Sequence, residues 1–115
     1  MSQEIFDRKT AVEQMGGDEE LMVELVEVFL EDLPERLQEI EAALAAGDAE
    51  ALSRAAHTLK GSVGNFAAHA AYETAFELET LAKQGTEGAD LVYTKLGAQI
   101  ELLKKGTRRT TVNGS

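Results

Sequence analysis

The sequence predicts an all-α protein, an antiparallel up-down four-helix bundle with a short extra helix at its N-terminus. Three observations lead to this prediction. Ala, Leu, Glu and Lys, which favour helices, are abundant, whereas runs of alternating Val, Ile and Thr are absent. Apolar residues recur at steps of three and four along the longer segments. The connections between these segments are short, and short connections make sequential helices antiparallel.

Composition and charge narrow the class of protein. A chain of 115 residues is most simply one domain, and the absence of cysteine excludes disulfides and thiolate metal sites. The net charge of −10 argues against binding to nucleic acid. No apolar run is long enough to cross a membrane, and the N-terminus lacks the apolar stretch of a signal peptide. We therefore expect a soluble, cytoplasmic protein, monomeric and without membrane insertion.

One segment of this acidic chain, KKGTRR, is basic. We interpret it as two cations at a helix C-terminus, where they favour the helix dipole, followed by a solvated tail. A nucleic-acid-binding arm is the less favoured alternative. The predicted domain thus covers residues 1–106, and residues 107–115 are expected to be a disordered tail, a linker or a cloning remnant.

The first predicted helix lies in FDRKTAVEQMGG. Asp7 can cap its N-terminus, and the Gly16-Gly17 pair can end it. Phe6 and Val12 could hold it against the rest of the fold.

The second predicted helix is the longest. Asp18 can cap it, and Gly47 can end it. Pro34 interrupts the apolar pattern without shifting it, which indicates one long helix kinked near Pro34; two helices with a tight bend are the alternative. The apolar stripe consists of Met22, Val26, Phe29, Leu33, Leu37, Ile40 and Leu44.

Three further helices are predicted. Asp48 can cap the third, Gly85 can follow the fourth, and Gly106 is expected to follow the fifth. The residues expected to face the core are Leu52, Ala55 or Ala56, Leu59 and Val63 on the third helix, Ala71, Ala75, Leu78 and Ala82 on the fourth, and Val92, Leu96, Ile100 and Leu103 on the fifth.

Common catalytic motifs are missing from the sequence. It contains no GxxxxGK[ST] or GxGxxG phosphate loop, no HExxH and no GxSxG. A di-metal bundle would need Glu-x-x-His pairs, and neither His57 nor His69 has a Glu three residues before it. We therefore expect no metal site and no bound cofactor. His69, near the start of the fourth helix, is assigned surface or helix-start packing.

His57 stands on an unusual helix face, within the stretch AAHTLKGSVGN. At about 100° per residue, His57 points away from the side formed by Leu52, Leu59 and Val63. Gly61, Gly64 and Ser53 fall within about 40° of it, and Lys60 within about 60°. Each glycine inside a helix costs roughly 1 kcal/mol relative to alanine. We infer that the glycines clear the surface beside the imidazole, although Gly64 could also help the helix to end.

This arrangement suits phosphoryl chemistry. Near pH 7 an imidazole is largely neutral, and the lone pair on one nitrogen can attack a phosphoryl group. Lys60 could offset part of the charge of the resulting phosphohistidine, and its side chain is expected to be exposed. No carboxylate lies in the same turn, so the sequence does not place His57 in a triad. A lone exposed histidine would ordinarily be a surface residue, but the whole constellation favours a functional one.

The stretch AHTLKGSVGNFAA resembles the signature of the histidine-containing phosphotransfer (HPt) domain of multistep phosphorelays. The residues that match are His57, Leu59, Lys60, Gly61 and Ser62. The long segment from the Gly16-Gly17 pair to Asp48 and the LETLAKQG of the fourth helix are also similar to the family. The resemblance covers roughly residues 5 to 105.

This resemblance implies a phosphocarrier without an ATP site, and thus not an enzyme. His57 would accept phosphate from a receiver-domain phospho-aspartate and pass it to another receiver aspartate, with Mg²⁺ belonging to the receiver. Lys60 would stabilise the phosphoryl group, and Gly61 would give steric access. Ser53, Ser62 and Gly64 are expected on the partner-facing surface. Some members place a further polar side chain near the histidine from another helix, but the sequence assigns no residue to that role.

The resemblance implies response-regulator receivers and a hybrid sensor kinase as partners, and two alternatives stay open. In one, the domain belongs to a chemotaxis-type kinase and a separate ATP-dependent catalytic domain phosphorylates His57. In the other, the chain docks receivers without carrying phosphate.

Overall fold

The computed structural model describes residues 8–64 and 68–113, with side chains for residues 9–64 and 68–106. The described chain is all-helical, which confirms the predicted fold class. Its five helices are α1 (Arg8–Gln14), α2 (Glu19–Ala46), α3 (Ala49–Gly64), α4 (His69–Ala82) and α5 (Ala89–Asn113).

Four long helices enclose one core. Each of α2, α3 and α4 packs against the next helix in the chain, and α5 packs against both α4 and α2, so the ring of contacts closes. The short α1 packs on α2. Because the bundle closes in chain order, α3 has α2 on one flank and α4 on the other, and one face of α3 is left outside.

Local capping sets the turn between α2 and α3. Gly47 adopts a left-handed conformation with φ 65°, which glycine accepts without a Cβ penalty. Asp48 follows, and its Oδ1 accepts a hydrogen bond of 3.0 Å from the backbone N–H of Ala51. Asp18 caps α2 in the same way, accepting from Leu21 N–H at 3.0 Å. These caps confirm the predicted starts of both helices.

Pro34 lies inside α2 without ending it, so the two-helix alternative is wrong. Proline removes one backbone donor and would break an isolated helix. Here Leu33 is buried just before it and Ile40 is buried one to two turns later, so core packing holds both halves in one helix. Tertiary contacts therefore outweigh the local cost of the proline.

The predicted apolar stripes form the core. Leu37, Leu44 and Val92 are half-buried; the other predicted stripe residues are buried. The largest fully buried side chains are Met22, Leu33, Ile40, Leu52, Leu59, Leu78, Leu96, Ile100, Leu103, Val26 and Val63.

The predicted end of the last helix is wrong. Helix α5 continues through Gly106 to Asn113. One glycine lowers helix stability by about 1 kcal/mol without preventing propagation, and the arginines that follow are good helix formers. The division into a domain of residues 1–106 and a tail of residues 107–115 stays a prediction.

Only part of the first predicted helix lies among the described residues. Its predicted cap Asp7 and the apolar Phe6 lie outside the described residues, whereas Val12 is half-buried against the core. Gly16 and Gly17 both have positive φ, 74° and 83°, and separate α1 from α2 as expected.

Within the described residues, no helix combines the length and the apolar character needed to cross a bilayer.

Candidate functional site

His57 lies on the outer face of α3, as the helical projection predicts. Its side chain is 66% exposed. One turn on, Gly61 is exposed, and a Cβ added there would meet no atom within 4 Å. The imidazole therefore stands beside cleared helix surface, open to a large partner.

A carboxylate from the neighbouring helix holds the imidazole. Glu79 of α4 is 9% exposed, and its Oε2 lies 2.9 Å from His57 Nδ1. The contact joins residues 22 positions apart, so it depends on the packing of α3 against α4. Spacing within α3 therefore gives no indication of this partner.

Sequence reasoning missed Glu79, although α4 carries a signal. Ala75, Leu78 and Ala82 form a buried stripe. Glu79 lies four residues after Ala75, on the same side of the helix. A charged residue at a core-facing position is seldom buried unless it is paired. That anomaly marks Glu79 as a residue with a specific partner.

Lys60 is more enclosed than expected. Its side chain is 16% exposed, so the predicted exposure is wrong. Nζ lies 2.9 Å from Glu79 Oε1. The two atoms are at ion-pair distance without the alignment of a full hydrogen bond, which leaves Oε1 with unused acceptor capacity. One carboxylate thus joins His57 through one oxygen and Lys60 through the other.

Two aromatic rings complete the surroundings of the ammonium. Lys60 Nζ lies 4.8 Å from the ring centroid of Phe76. It lies 5.9 Å from that of Tyr72. Both distances are within the range of a cation–π interaction. Glu79 and the two rings, all on α4, thus explain why Lys60 is covered.

Electrostatics fix the charge of the carboxylate. The short ionic contact with Lys60 and, more weakly, the hydrogen bond with His57 lower the pKa of Glu79 below 4.5, against the opposing effect of burial. The same contact with Glu79 raises the pKa of Lys60 above 10.5. Near neutral pH the pair is therefore fully ionised.

An ionised carboxylate sets the tautomer of a neutral imidazole. A carboxylate can only accept, so His57 Nδ1 carries the proton and donates to Glu79. The lone pair of the neutral ring then resides on Nε2, the nitrogen that does not face Glu79. The site presents a nucleophilic nitrogen to the outside, with an anion behind the ring and a cation beside it.

The three residues expected on the partner-facing surface lie at different places. Ser53 and Ser62 are half-buried, and Ser62 Oγ donates to the backbone oxygen of Thr58 at 3.3 Å. Gly64 faces α4, since a Cβ there would lie 3.4 Å from Cδ2 of Tyr72. A part for these residues in partner binding stays a prediction.

In the part of the chain that the structure describes, no group of His, Cys, Asp and Glu residues could hold a metal ion. His69 is exposed near the start of α4.

Comparisons with known proteins identify the family and the fold. The family model of the Hpt domain matches residues 24–106. The crystal structure of histidine-containing phosphotransfer protein B (HptB) from Pseudomonas aeruginosa PAO1 is similar, with a TM-score of 0.88 and 26% sequence identity. That match covers 97% of this chain and 98% of the other. A search among curated protein sequences found no significant match.

The chain belongs to the Hpt domain family. Hpt domains are phosphocarriers rather than ATP-dependent kinases, and the family supports a role in a histidine phosphorelay with partners such as receiver domains.

Proposed function

We propose that this chain is a phosphorelay intermediate. His57 accepts a phosphoryl group from the phospho-aspartate of one receiver domain and passes it to the aspartate of another. The observation that carries the proposal is the 2.9 Å contact between His57 Nδ1 and Glu79 Oε2, because it leaves Nε2 as the exposed nucleophile.

In the accepting step, the Nε2 lone pair attacks the phosphorus atom of the acyl phosphate. The N–P bond forms while the bond from phosphorus to the aspartyl oxygen breaks, and the receiver aspartate leaves as a carboxylate. The ring keeps its Nδ1 proton and becomes a phosphorylated imidazolium. Glu79 stabilises that developing positive charge, as the carboxylate of a catalytic triad does for its histidine.

The donating step reverses these changes. A carboxylate oxygen of the second receiver attacks phosphorus, the N–P bond breaks, and its electron pair returns to Nε2. His57 is again neutral, with the proton on Nδ1. No proton enters or leaves in either direction, so Glu79 orients and stabilises the ring without acting as an acid or base.

Lys60 supplies the cation that the transferred group needs. Phosphoryl transfer depends mainly on positioning and on stabilising charge over the phosphoryl oxygens. The unaligned ion pair with Glu79 Oε1 leaves the ammonium free to donate to those oxygens as well. Lys60 can thus offset charge on the phosphoryl group while remaining next to the carboxylate.

Receiver docking uses the α2 side of His57. Leu21, Leu25 and Val28 form one row on α2, and Leu21 and Val28 are 38% and 51% exposed. Leu25, Val28 and Ser62 of α3 line one shallow depression. This row lies on the helix that packs against α3 and offers an apolar surface to a receiver. The Mg²⁺ that the reaction needs is expected on the receiver.

The test uses an isolated receiver domain carrying ³²P-labelled phospho-aspartate, with Mg²⁺. We expect acid-labile, base-stable label on this chain and no label on the His57→Gln variant. His69→Gln is the matched control, since the sequence contains two histidines, and it should be labelled as the wild type is. Labelling of His57→Gln at the wild-type rate would refute the proposal.

The same preparation separates the two alternatives. Labelling by an ATP-dependent histidine-kinase catalytic domain, with no labelling by any receiver, would assign the chain to a chemotaxis-type kinase. Tight receiver binding without transfer would make it a docking module.

A further inference from the structure

Three side chains from one face of α4 converge on Lys60. Tyr72, Phe76 and Glu79 follow one another at steps of four and three, so they share a face of the helix. The two rings lie 5.9 and 4.8 Å from Nζ, and the carboxylate oxygen lies 2.9 Å from it. A cation on α3 is thus met by two aromatic faces and one anion.

Packing in the core does not explain why position 76 carries a phenylalanine. The side chain is 51% exposed, whereas the preceding Ala75 is fully buried. Phe is a weaker helix former than Ala, Glu or Lys, so an exposed helix position gains nothing from it. The contact that Phe76 makes with the Lys60 ammonium does explain it.

Gly64 brings the second ring into place. Lys60 and Gly64 are one turn apart on α3 and lie on the same side of that helix. The space where a Cβ would stand at Gly64 is bounded by Cδ2 and Cε2 of Tyr72, at 3.4 and 3.5 Å. Tyr72 therefore packs directly over the backbone of Gly64, on the side of α3 that carries Lys60.

We propose that Phe76, supported by Tyr72, is a positioning residue that holds the Lys60 ammonium beside His57. This inference rests on the proposed function and adds a residue that acts through Lys60. A lysine has four rotatable bonds and strong hydration, so a single ion pair leaves its ammonium many positions. The rings confine it to its position next to Glu79 Oε1, while Oε2 of the same carboxylate contacts the imidazole. They favour the cation without competing for its N–H donors, which stay available to the phosphoryl oxygens.

The test compares Phe76→Leu, which removes the ring, with Phe76→Tyr, which keeps it. Leu91→Ala on α5 is the control for loss of exposed apolar surface, since Leu91 is 74% exposed. The first readout is the NMR shift of the Lys60 Cε protons. Ring currents should displace it in the wild type and in Phe76→Tyr, and much less in Phe76→Leu. This readout needs no phosphate transfer.

The second readout is the rate of transfer from a phosphorylated receiver. For Phe76→Leu we expect kcat to fall about two- to fivefold with KM unchanged, as the strength of an exposed cation–π contact implies. Phe76→Tyr should restore kcat. In a Lys60→Met background, Phe76→Leu should have no further effect, because its action passes through Lys60.

Two results would overturn the proposal. One is a rise in KM at constant kcat with the Lys60 shift unmoved, which would make Phe76 a docking residue. The other is an equal effect of Phe76→Leu in the Lys60→Met background. Failure of the wild type to accept phosphate would instead refute the proposed function, while the NMR comparison would still report on the position of Lys60.

Discussion

Glu79 Oε2 on α4 lies 2.9 Å from His57 Nδ1 on α3, and the same carboxylate lies 2.9 Å from Lys60 Nζ. A buried anion thus ties the two residues of the sequence motif together from another helix. It orients the imidazole, sets its tautomer and leaves Nε2 facing the partner.

Substitution of Glu79 should slow phosphoryl acceptance. Glu79→Gln can still bond Nδ1 but lacks the negative charge that stabilises the imidazolium. We expect about a five- to tenfold loss in rate, the difference between a charged and a neutral hydrogen bond. Glu79→Ala also removes the acceptor that keeps the proton of His57 on Nδ1, so the rate of acceptance should fall further. Glu73→Gln, at an exposed position of the same helix, is the control. Equal rates for Glu79→Gln and the control would contradict the role of the charge.

Stability should depend on pH through Glu79. Its pKa is lowered on folding from 4.5, so its ionised form stabilises the native state above about pH 4.5, and this contribution is lost as the pH falls through the folded value. Urea unfolding of the wild type and Glu79→Gln at pH 7 and pH 3 checks this. The amount by which the free energy of unfolding of the wild type exceeds that of Glu79→Gln should be smaller at pH 3 than at pH 7. A larger difference in the free energy of unfolding at pH 3 than at pH 7 would contradict this prediction.

Removal of the Lys60 charge should slow transfer without unfolding the protein. In Lys60→Met the phosphoryl oxygens lose a donor, and we expect a rate loss of about tenfold or more. Circular dichroism should report unchanged helicity. Lys95→Met is the matched control, because Lys95 pairs with Glu77 at 3.2 Å on the exposed surface. If both variants transfer phosphate equally fast, Lys60 has no part in the reaction.

Large residues at position 61 should separate stability from activity. Gly61→Gln replaces a helical glycine whose Cβ direction is open, so the free energy of unfolding should rise by up to about 1 kcal/mol. The added side chain should obstruct receiver docking and raise KM. Gly97→Gln offers the same open space inside α5 and should gain stability without losing transfer. If Gly61→Gln transfers phosphate as well as the wild type does, Gly61 is not needed for a receiver to reach His57.

A hydrogen bond far from His57 should affect stability alone. Tyr93 Oη on α5 donates to Glu41 Oε2 on α2 at 2.7 Å, and burial together with this acceptor raises the pKa of Tyr93. Tyr93→Phe should lower the free energy of unfolding by about 1 kcal/mol. Transfer through His57 should be unchanged. A change in the transfer rate would mean that this α2–α5 hydrogen bond influences the reaction at His57.

Much of the fold follows from local rules. The caps Asp18 and Asp48, the left-handed Gly47 and the apolar stripes appear where periodicity and capping chemistry predict them. The apolar stripe also predicted that α2 continues through Pro34, and core residues on both sides of the proline hold that helix. The predicted end of the last helix was wrong. Gly106 does not end α5, because one glycine costs too little to stop a long helix.

By itself, the sequence determined that His57 points outward, that Gly61 clears the surface beside it, and that Lys60 shares its neighbourhood. Those relations lie within one helix, where spacing fixes direction. Only the tertiary structure decided that Glu79 holds the imidazole and that Phe76 and Tyr72 cover Lys60. Spacing within α4 can show that Glu79 faces inward. Which residue of α3 it meets depends on how far the two helices are shifted and rotated against each other, and the packing of the whole core sets that alignment.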